Sequence, residues 1–373
     1  MMYRMNRDND VILSSQLSAI LVMTIMGVGI LSLPRMVVEE AGPDGLFLVL
    51  GGSIFALLAG WIIFLLVKKF PGETIVEFGN TLLGKFFGTV IALGFFGYLM
   101  ILSAYEVRSF GEITKQYLLF ETPIEVLAIT ILLGSVYTAR SGIESIARMA
   151  EFLFPIITII SVLILLPIIP EIDYTQFYPI FRTPILKLIK GIPVVFFSFI
   201  GIELTLLYAA FVKETKKIGN AMLLTVGLVS FYYISIVFVV VARFGLVETT
   251  HIIWPTLEVF KTVDLPGAFI ENLDAFIMSI WVIAVFMSLV SAYYGSALIL
   301  SRIFKTKEFN FFVLPLLPII YFLAFIPDNL IQLNDWIDIY SNYAGSFFMV
   351  LLPLLLLIIS FFKKSKGGKK NAP

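Results

Sequence analysis

Gly27-Val28-Gly29-Ile30-Leu31-Ser32-Leu33-Pro34 stands in the middle of the first long apolar segment of this chain, residues 11–34. A helix crossing hydrocarbon must bond its own N–H and C=O groups, because lipid offers no partners. A break at its centre exposes amides and carbonyls that a bound solute or a cavity has to meet. Glycine suits such a break, since it accepts unusual φ/ψ and lets the backbone approach a solute. The competing reading is that small residues here only let helices pack closely. A second interruption, Ser198-Phe199-Ile200-Gly201-Ile202-Glu203, falls inside the sixth apolar segment. Paired discontinuities in corresponding halves of a chain point to a transporter-type site at the membrane midplane.

Composition sets the class around these two breaks. Hydrophobic residues make up 59% of the 373 and charged residues 14%, against roughly 45–50% and 25% in soluble domains. A spanning helix takes about 20 mostly apolar residues. Residues 11–34, 45–67, 86–105, 152–170, 218–242, 275–301, 309–327 and 339–362 contain no charge. Residues 126–139 extend with 122–125, and 191–212 carries only Glu203. The reading is an all-α polytopic membrane protein of ten transmembrane helices, a single transmembrane domain over 1–373. Arg4 and Arg7 precede the first span as in a secretory signal, but the apolar run is too long and lacks a small-residue cleavage site before Arg35. It is read as a retained helix. The chain has no cysteine, which excludes disulfides, thiolate chemistry and cysteine metal sites. The sole histidine, His251, lies outside any span and reads as an interfacial loop residue.

A net charge of zero hides an asymmetry. With ten spans both termini share one side, and most of the 26 basic residues fall there, from Arg4 and Arg7 through Lys68, Lys69, Arg140, Lys213 and Arg302 to Lys370. By the positive-inside rule that side is cytoplasmic. The basic tail 363–373 reads as a contact with an anionic leaflet rather than with nucleic acid.

Spans one to five run over about 11–170 and spans six to ten over about 191–362. Five is odd, so the second half starts on the opposite side and has inverted topology, and an interrupted helix leads each half. Three connections are long enough for structure of their own. Residues 70–84 carry Ile75, Phe78, Leu82 and Leu83 at helical spacing. Residues 171–190 mix aromatics with Arg182, Lys187 and Lys190. In 243–274, Trp254, Leu257, Phe260 and Val263 suggest an amphipathic helix in the interface.

At the first break, the half-helix starting near Ile30 points a partly positive N-terminus at the membrane centre. At the second, the half-helix ending near Ile200 points its carbonyls there. A zwitterion such as a free α-amino acid matches both ends. Glu203 reads as the deepest carboxylate; it accepts from a ligand amine, carries a proton, or caps the unwound turn after Gly201. Arg35 and Glu39 are spaced for an i, i+4 pair, and Arg148 and Glu151 for an i, i+3 pair near the cytoplasmic end of span five. Tyr98 and Tyr105 in span three, and Ser288, Ser291, Tyr293 and Tyr294 in span eight, carry hydroxyls that need partners in lipid. No metal-ligand cluster, phosphate loop or nucleophile–base arrangement is visible, which argues against an enzyme.

Gly27 to Pro34 resembles the first-helix signature of the amino acid–polyamine–organocation transporter superfamily, whose LeuT-like fold is two inverted five-helix repeats with helices one and six broken. Leu33-Pro34-Arg35 closes the first helix, Phe70-Pro71-Gly72-Glu73-Thr74 follows span two and Gly84-Lys85 opens span three. Phe199-Ile200-Gly201-Ile202-Glu203 lies in span six, with a basic turn at 213–217 after it. Together these are similar to the B subunit of the GerA-type spore germinant receptors, over essentially the whole chain. The resemblance implies a subunit of the cell membrane or spore inner membrane that recognises a nutrient germinant, commonly an amino acid, between spans one, three, six and eight. It implies action with a receptor A subunit and a lipoprotein C subunit; no cofactor is expected, since the sequence shows no motif for one. Carried over by residue, Gly27, Val28, Gly29, Ile200 and Gly201 meet the ligand backbone. Tyr98, Leu102, Ser288, Leu289 and Tyr293 form the side-chain pocket. The expectation is a ligand-sensing subunit; the alternative is a proton- or sodium-coupled amino-acid transporter of the same fold.

Overall fold

The computed structural model describes residues 10–27, 29–262 and 273–363. Val28 of the expected site, Val263 of the expected interfacial helix and the basic tail beyond Lys363 lie outside the described residues. The helices are α1 (Ser14–Ile25), α2 (Gly29–Ala41), α3 (Gly45–Val67), α4 (Ile75–Leu83), α5 (Lys85–Tyr117), α6 (Ile124–Ala139), α7 (Gly142–Leu165) and α8 (Ile185–Phe197). They continue with α9 (Thr205–Tyr208), α10 (Ile218–His251), α11 (Pro255–Lys261), α12 (Leu273–Phe304), α13 (Asn310–Ala324), α14 (Leu330–Tyr340) and α15 (Leu352–Phe362).

Among the described residues six helical stretches are long and apolar enough to cross a membrane, and Ser14–Ile25, Ile124–Ala139, Ile202–Phe211 and Asn310–Ala324 are shorter apolar helices. The count by length falls below ten because spans one and six are each assembled from two short pieces, and spans four and nine, α6 and α13, are single helices of 16 and 15 residues. Span one is α1 followed by α2. Span six is α8 followed by Ile202–Phe211, in which α9 sits between two 3-10 turns. Span ten is α14 and α15 joined through π-helical turns at Ser341–Gly345 and Phe347–Leu351. The ten spans make two five-span halves of opposite orientation, each led by its broken helix.

The interruptions follow from residue chemistry. α1 stops at Ile25, and Met26 and Gly27 turn the chain before α2 begins at Gly29. Pro34, inside α2, has no N–H for the carbonyl four residues earlier. That carbonyl, on Ile30, instead accepts from the Thr256 hydroxyl of α11 at 2.8 Å, so the proline fastens the interfacial helix to span one. At the second break Gly201 has φ 120°, a conformation that costs an L side chain dearly and glycine little.

One end of the bundle, which carries residues 10–13 and 363, is closed. The Ile12 amide donates to the Phe211 carbonyl at 2.8 Å and the Lys213 amide to the Ile12 carbonyl at 3.0 Å, a single parallel β-bridge between Ile12 and Val212. Behind it Ser18 and Thr225 share a hydrogen bond of 2.9 Å. The Gln16 amide donates to Glu151 at 2.8 Å. This corrects the expected Arg148–Glu151 pair: Arg148 turns back to Glu144, one helical turn earlier, because Gln16 of α1 captures Glu151. The expected helix in 70–84 is α4, which opens on a Thr74–Glu77 capping box and buries Ile75, Phe78 and Leu82. Lys363 reaches its last turn, donating to the Leu82 carbonyl at 2.9 Å.

At the opposite end, buried Asp44 accepts from the amides of Phe181 at 2.6 Å and Thr183 at 2.7 Å. Burial alone would push its carboxyl up, but these amide donors outweigh it and hold the group below the ordinary carboxylate range. The contact ties the turn after α2 to the chain leading into α8. The expected interfacial helix is α11, with Trp254 and Leu257 buried beneath it. His251 is exposed where α10 ends.

Candidate functional site

A cavity of about 350 Å³ opens beside the first break. Its floor comprises Thr24 and Ile25 at the end of α1, Gly29 at the start of α2, Leu102 and Glu106 of α5, Ser198 and Ile200 at the second break, and Ser288 of α12. From there it rises past Ser32, Arg35, Glu39 and Glu40 of α2, Tyr105 of α5, Val194 of α8 and Trp254 near α11. Asn334, Ile337 and Asp338 of α14, with Ser341 and Asn342 of the π turn, complete the wall. Arg35 lies 3.7 Å from Glu39, so this pair forms as the sequence spacing predicts.

The half-helices bring partial charges of both signs to the floor. α2 presents the N–H groups of its first turn at Gly29, while α1 and α8 present carbonyls. The two carbonyl ends share one donor. The Tyr233 hydroxyl of α10 lies 2.6 Å from the Ser198 carbonyl and 3.3 Å from the Ile25 carbonyl. The inner half of span six is met by protein: both Glu203 oxygens accept the Gly201 amide, at 3.0 and 2.9 Å, and Oε1 also accepts the Tyr98 hydroxyl at 2.8 Å. Of the three roles open to Glu203, capping the unwound turn has this geometry. Tyr98 is itself held by α14, where the Tyr340 hydroxyl donates to the Tyr98 carbonyl at 3.0 Å and the two rings stack 4.9 Å apart.

The expected residues therefore separate into groups. Gly29, Leu102, Ile200 and Ser288 line the cavity. Gly27, Tyr98, Gly201 and Glu203 lie directly behind its floor, where they shape or cap the breaks. Leu289 is buried in the core and is not among the lining residues. The Tyr293 hydroxyl donates to the Val313 carbonyl of α13 at 2.6 Å. Among the other polar candidates, Tyr105 reaches the cavity, Ser291 supplies its carbonyl to the Tyr208 hydroxyl, and Tyr294 meets the Phe309 ring edge-on.

Two groups of lining residues were not legible as site residues. Glu106 is 4% exposed, a carboxylate buried within a span, as Glu203 is. The charge-free run 86–105 stops just short of it, whereas α5 continues to Tyr117. Asn334, Asp338, Ser341 and Asn342 recur at helical spacing, so a polar stripe leading into span ten was the available signal.

Ten spans in two inverted halves, broken in the first and sixth around a cavity, define a membrane protein of transporter architecture. Solved structures share that fold. The nucleobase–cation symporter Mhp1, with bromovinylhydantoin bound, matches with a TM-score of 0.66 at 14% identity, over 96% of this chain and 81% of that one. MhsT in complex with L-phenylalanine matches with a TM-score of 0.67 at 16% identity, over 93% of this chain and 88% of that one. Sequence supplies the family. Residues 11–333 match the spore permease family model, described as spore germination protein, and the chain belongs to that family. It is 31% identical to spore germination protein YndE of Bacillus subtilis over 85% of this chain and 88% of the relative. It is 26% identical to spore germination protein B2 of Bacillus subtilis, over 92% of this chain and 94% of the relative. It is 29% identical to GerLB of Bacillus cereus, over 92% of this chain and 93% of the relative.

Proposed function

We propose that this protein is the nutrient-sensing membrane subunit of a spore germination receptor. It binds a small molecule, an amino acid, in the cavity between spans one, three, six, eight and ten, and signals to a receptor A subunit and a lipoprotein C subunit. Its place is the spore inner membrane, with both termini in the cytoplasm. The observation that carries this reading is the cavity itself: about 350 Å³ at the first break, within the range of small-molecule sites, with a helix N-terminus and two helix C-termini facing it. A zwitterion satisfies both signs at once. Occupancy shifts the equilibrium between two arrangements of the broken helices only if the ligand prefers one of them, and the partners read that shift.

Gly29 supplies the test. A Cβ built there meets nothing within 4 Å, so the side chain of Gly29→Leu extends into the cavity without displacing the core. Binding of the twenty standard amino acids is measured on the full chain in lipid nanodiscs. The best binder of the wild type is expected to lose at least about tenfold in affinity in Gly29→Leu, at an unchanged unfolding temperature. Unaltered binding would remove the site from this break. Concentrative uptake of the same amino acid by the chain alone in liposomes would favour the transporter reading over the sensor.

A further inference from the structure

We infer that Glu106 is the side chain that selects for the ammonium group of the ligand; the inference rests on the cavity above being the amino-acid site. Glu106 projects from the middle of α5, and its Oε1 accepts the Ser288 hydroxyl of α12 at 2.8 Å. A Cβ built on Gly27 would lie 2.7 Å from that oxygen and 3.1 Å from Ser288 Oγ. Glycine at 27 therefore leaves the carboxylate its place against the backbone where α1 ends. The Glu106 carboxylate shares the cavity floor with Ile25 and Ser198, and because the carbonyls of those two residues already meet the Tyr233 hydroxyl, Glu106 is the full negative charge there.

The positive features are fewer. At the second break Glu203 already takes the Gly201 amide, so the N-terminus of α2 at Gly29 is the helix start that faces the cavity. Among the described residues lining the cavity, Glu39, Glu40, Glu106 and Asp338 are acids and Arg35 is the one base. A ligand carboxylate thus has the start of α2 to meet, and a ligand ammonium has Glu106. Carboxylates within membrane spans are costly and mark functional positions. Amino acids and primary amines fit this arrangement; sugars, nucleosides and simple carboxylic acids lack the group it is built around.

The test compares the amino acid that wild-type protein in nanodiscs binds best with its desamino counterpart, the same carbon skeleton without the amine. Wild type is expected to prefer the amino acid by about 100-fold, and Glu106→Gln to bring that preference below about 10-fold. Gly27→Ala, whose methyl displaces the carboxylate, is expected to move the ratio in the same direction. Equal binding of the two compounds by wild type overturns the inference without any variant. A preference that persists in a folded Glu106→Gln also overturns it, while leaving the site itself standing. If wild type binds none of the twenty amino acids, the proposed function falls, and the selectivity inference with it.

Discussion

At Gly201 the backbone holds φ at 120°, and a Cβ there would lie 3.0 Å from Thr24 Cγ2 and 3.2 Å from Ile25 Cγ1. The second break therefore packs directly onto the end of the first, and glycine is required by conformation and by space together. Gly201→Ala is expected to destabilise the protein by about 1–3 kcal/mol. Thermal unfolding in detergent reads this as a lowered midpoint, and an unchanged midpoint would show that the turn tolerates a side chain. Gly29 makes the contrast, being glycine beside open space, so its substitution acts on the ligand and not on the fold. Glu203 and Tyr98 belong with Gly201: their hydrogen bonds hold the unwound turn that positions Ile200 on the cavity floor.

Among the elements, α10 couples the breaks through one hydroxyl. Tyr233 bridges the carbonyl ends of α1 and α8, so movement of either half-helix lengthens a bond to the other. Tyr233→Phe removes a hydrogen bond of about 1 kcal/mol, which corresponds to about fivefold in an opening equilibrium. Hydrogen exchange is expected to rise by that factor at amides 24–27 and 198–201 in particular. A uniform rise across α10, or none, would show that the hydroxyl does not couple them. The two breaks were legible because glycine and proline inside long apolar runs conflict with membrane helix rules, whatever surrounds them. Glu106 and the α14 stripe escaped for the converse reason. A charge-free window marks the hydrocarbon zone, but a cavity shelters polar groups at that depth, so α5 runs past its charge-free window and α14 begins before one. The partner of Glu151 was likewise invisible, since Gln16 lies 135 residues away in sequence.

Across the whole molecule the ends differ. At the end carrying residues 10–13, the Ile12–Val212 bridge and the Gln16–Glu151 and Ser18–Thr225 bonds close the space below the breaks. The cavity instead rises past Arg35 and Glu39 toward α11 and α14. In the proposed orientation, with the basic side in the cytoplasm, a chain arranged this way meets solutes arriving from outside the membrane. The absence of cysteine makes this directly measurable, because any thiol introduced is the only one present. Ser32→Cys places a thiol on the cavity wall, and Leu13→Cys places one at the closed end, where Leu13 is 50% exposed. A membrane-impermeant maleimide added to intact cells is expected to label Ser32→Cys and spare Leu13→Cys, and on inverted vesicles to reverse that order. An amino acid that occupies the cavity is expected to slow labelling of Ser32→Cys alone. Labelling of Leu13→Cys from outside would invert the assigned orientation. Ser32→Cys labelling indifferent to every amino acid would separate the open vestibule from the binding site, since Ser32 and the floor residues Gly29 and Ile200 line one cavity.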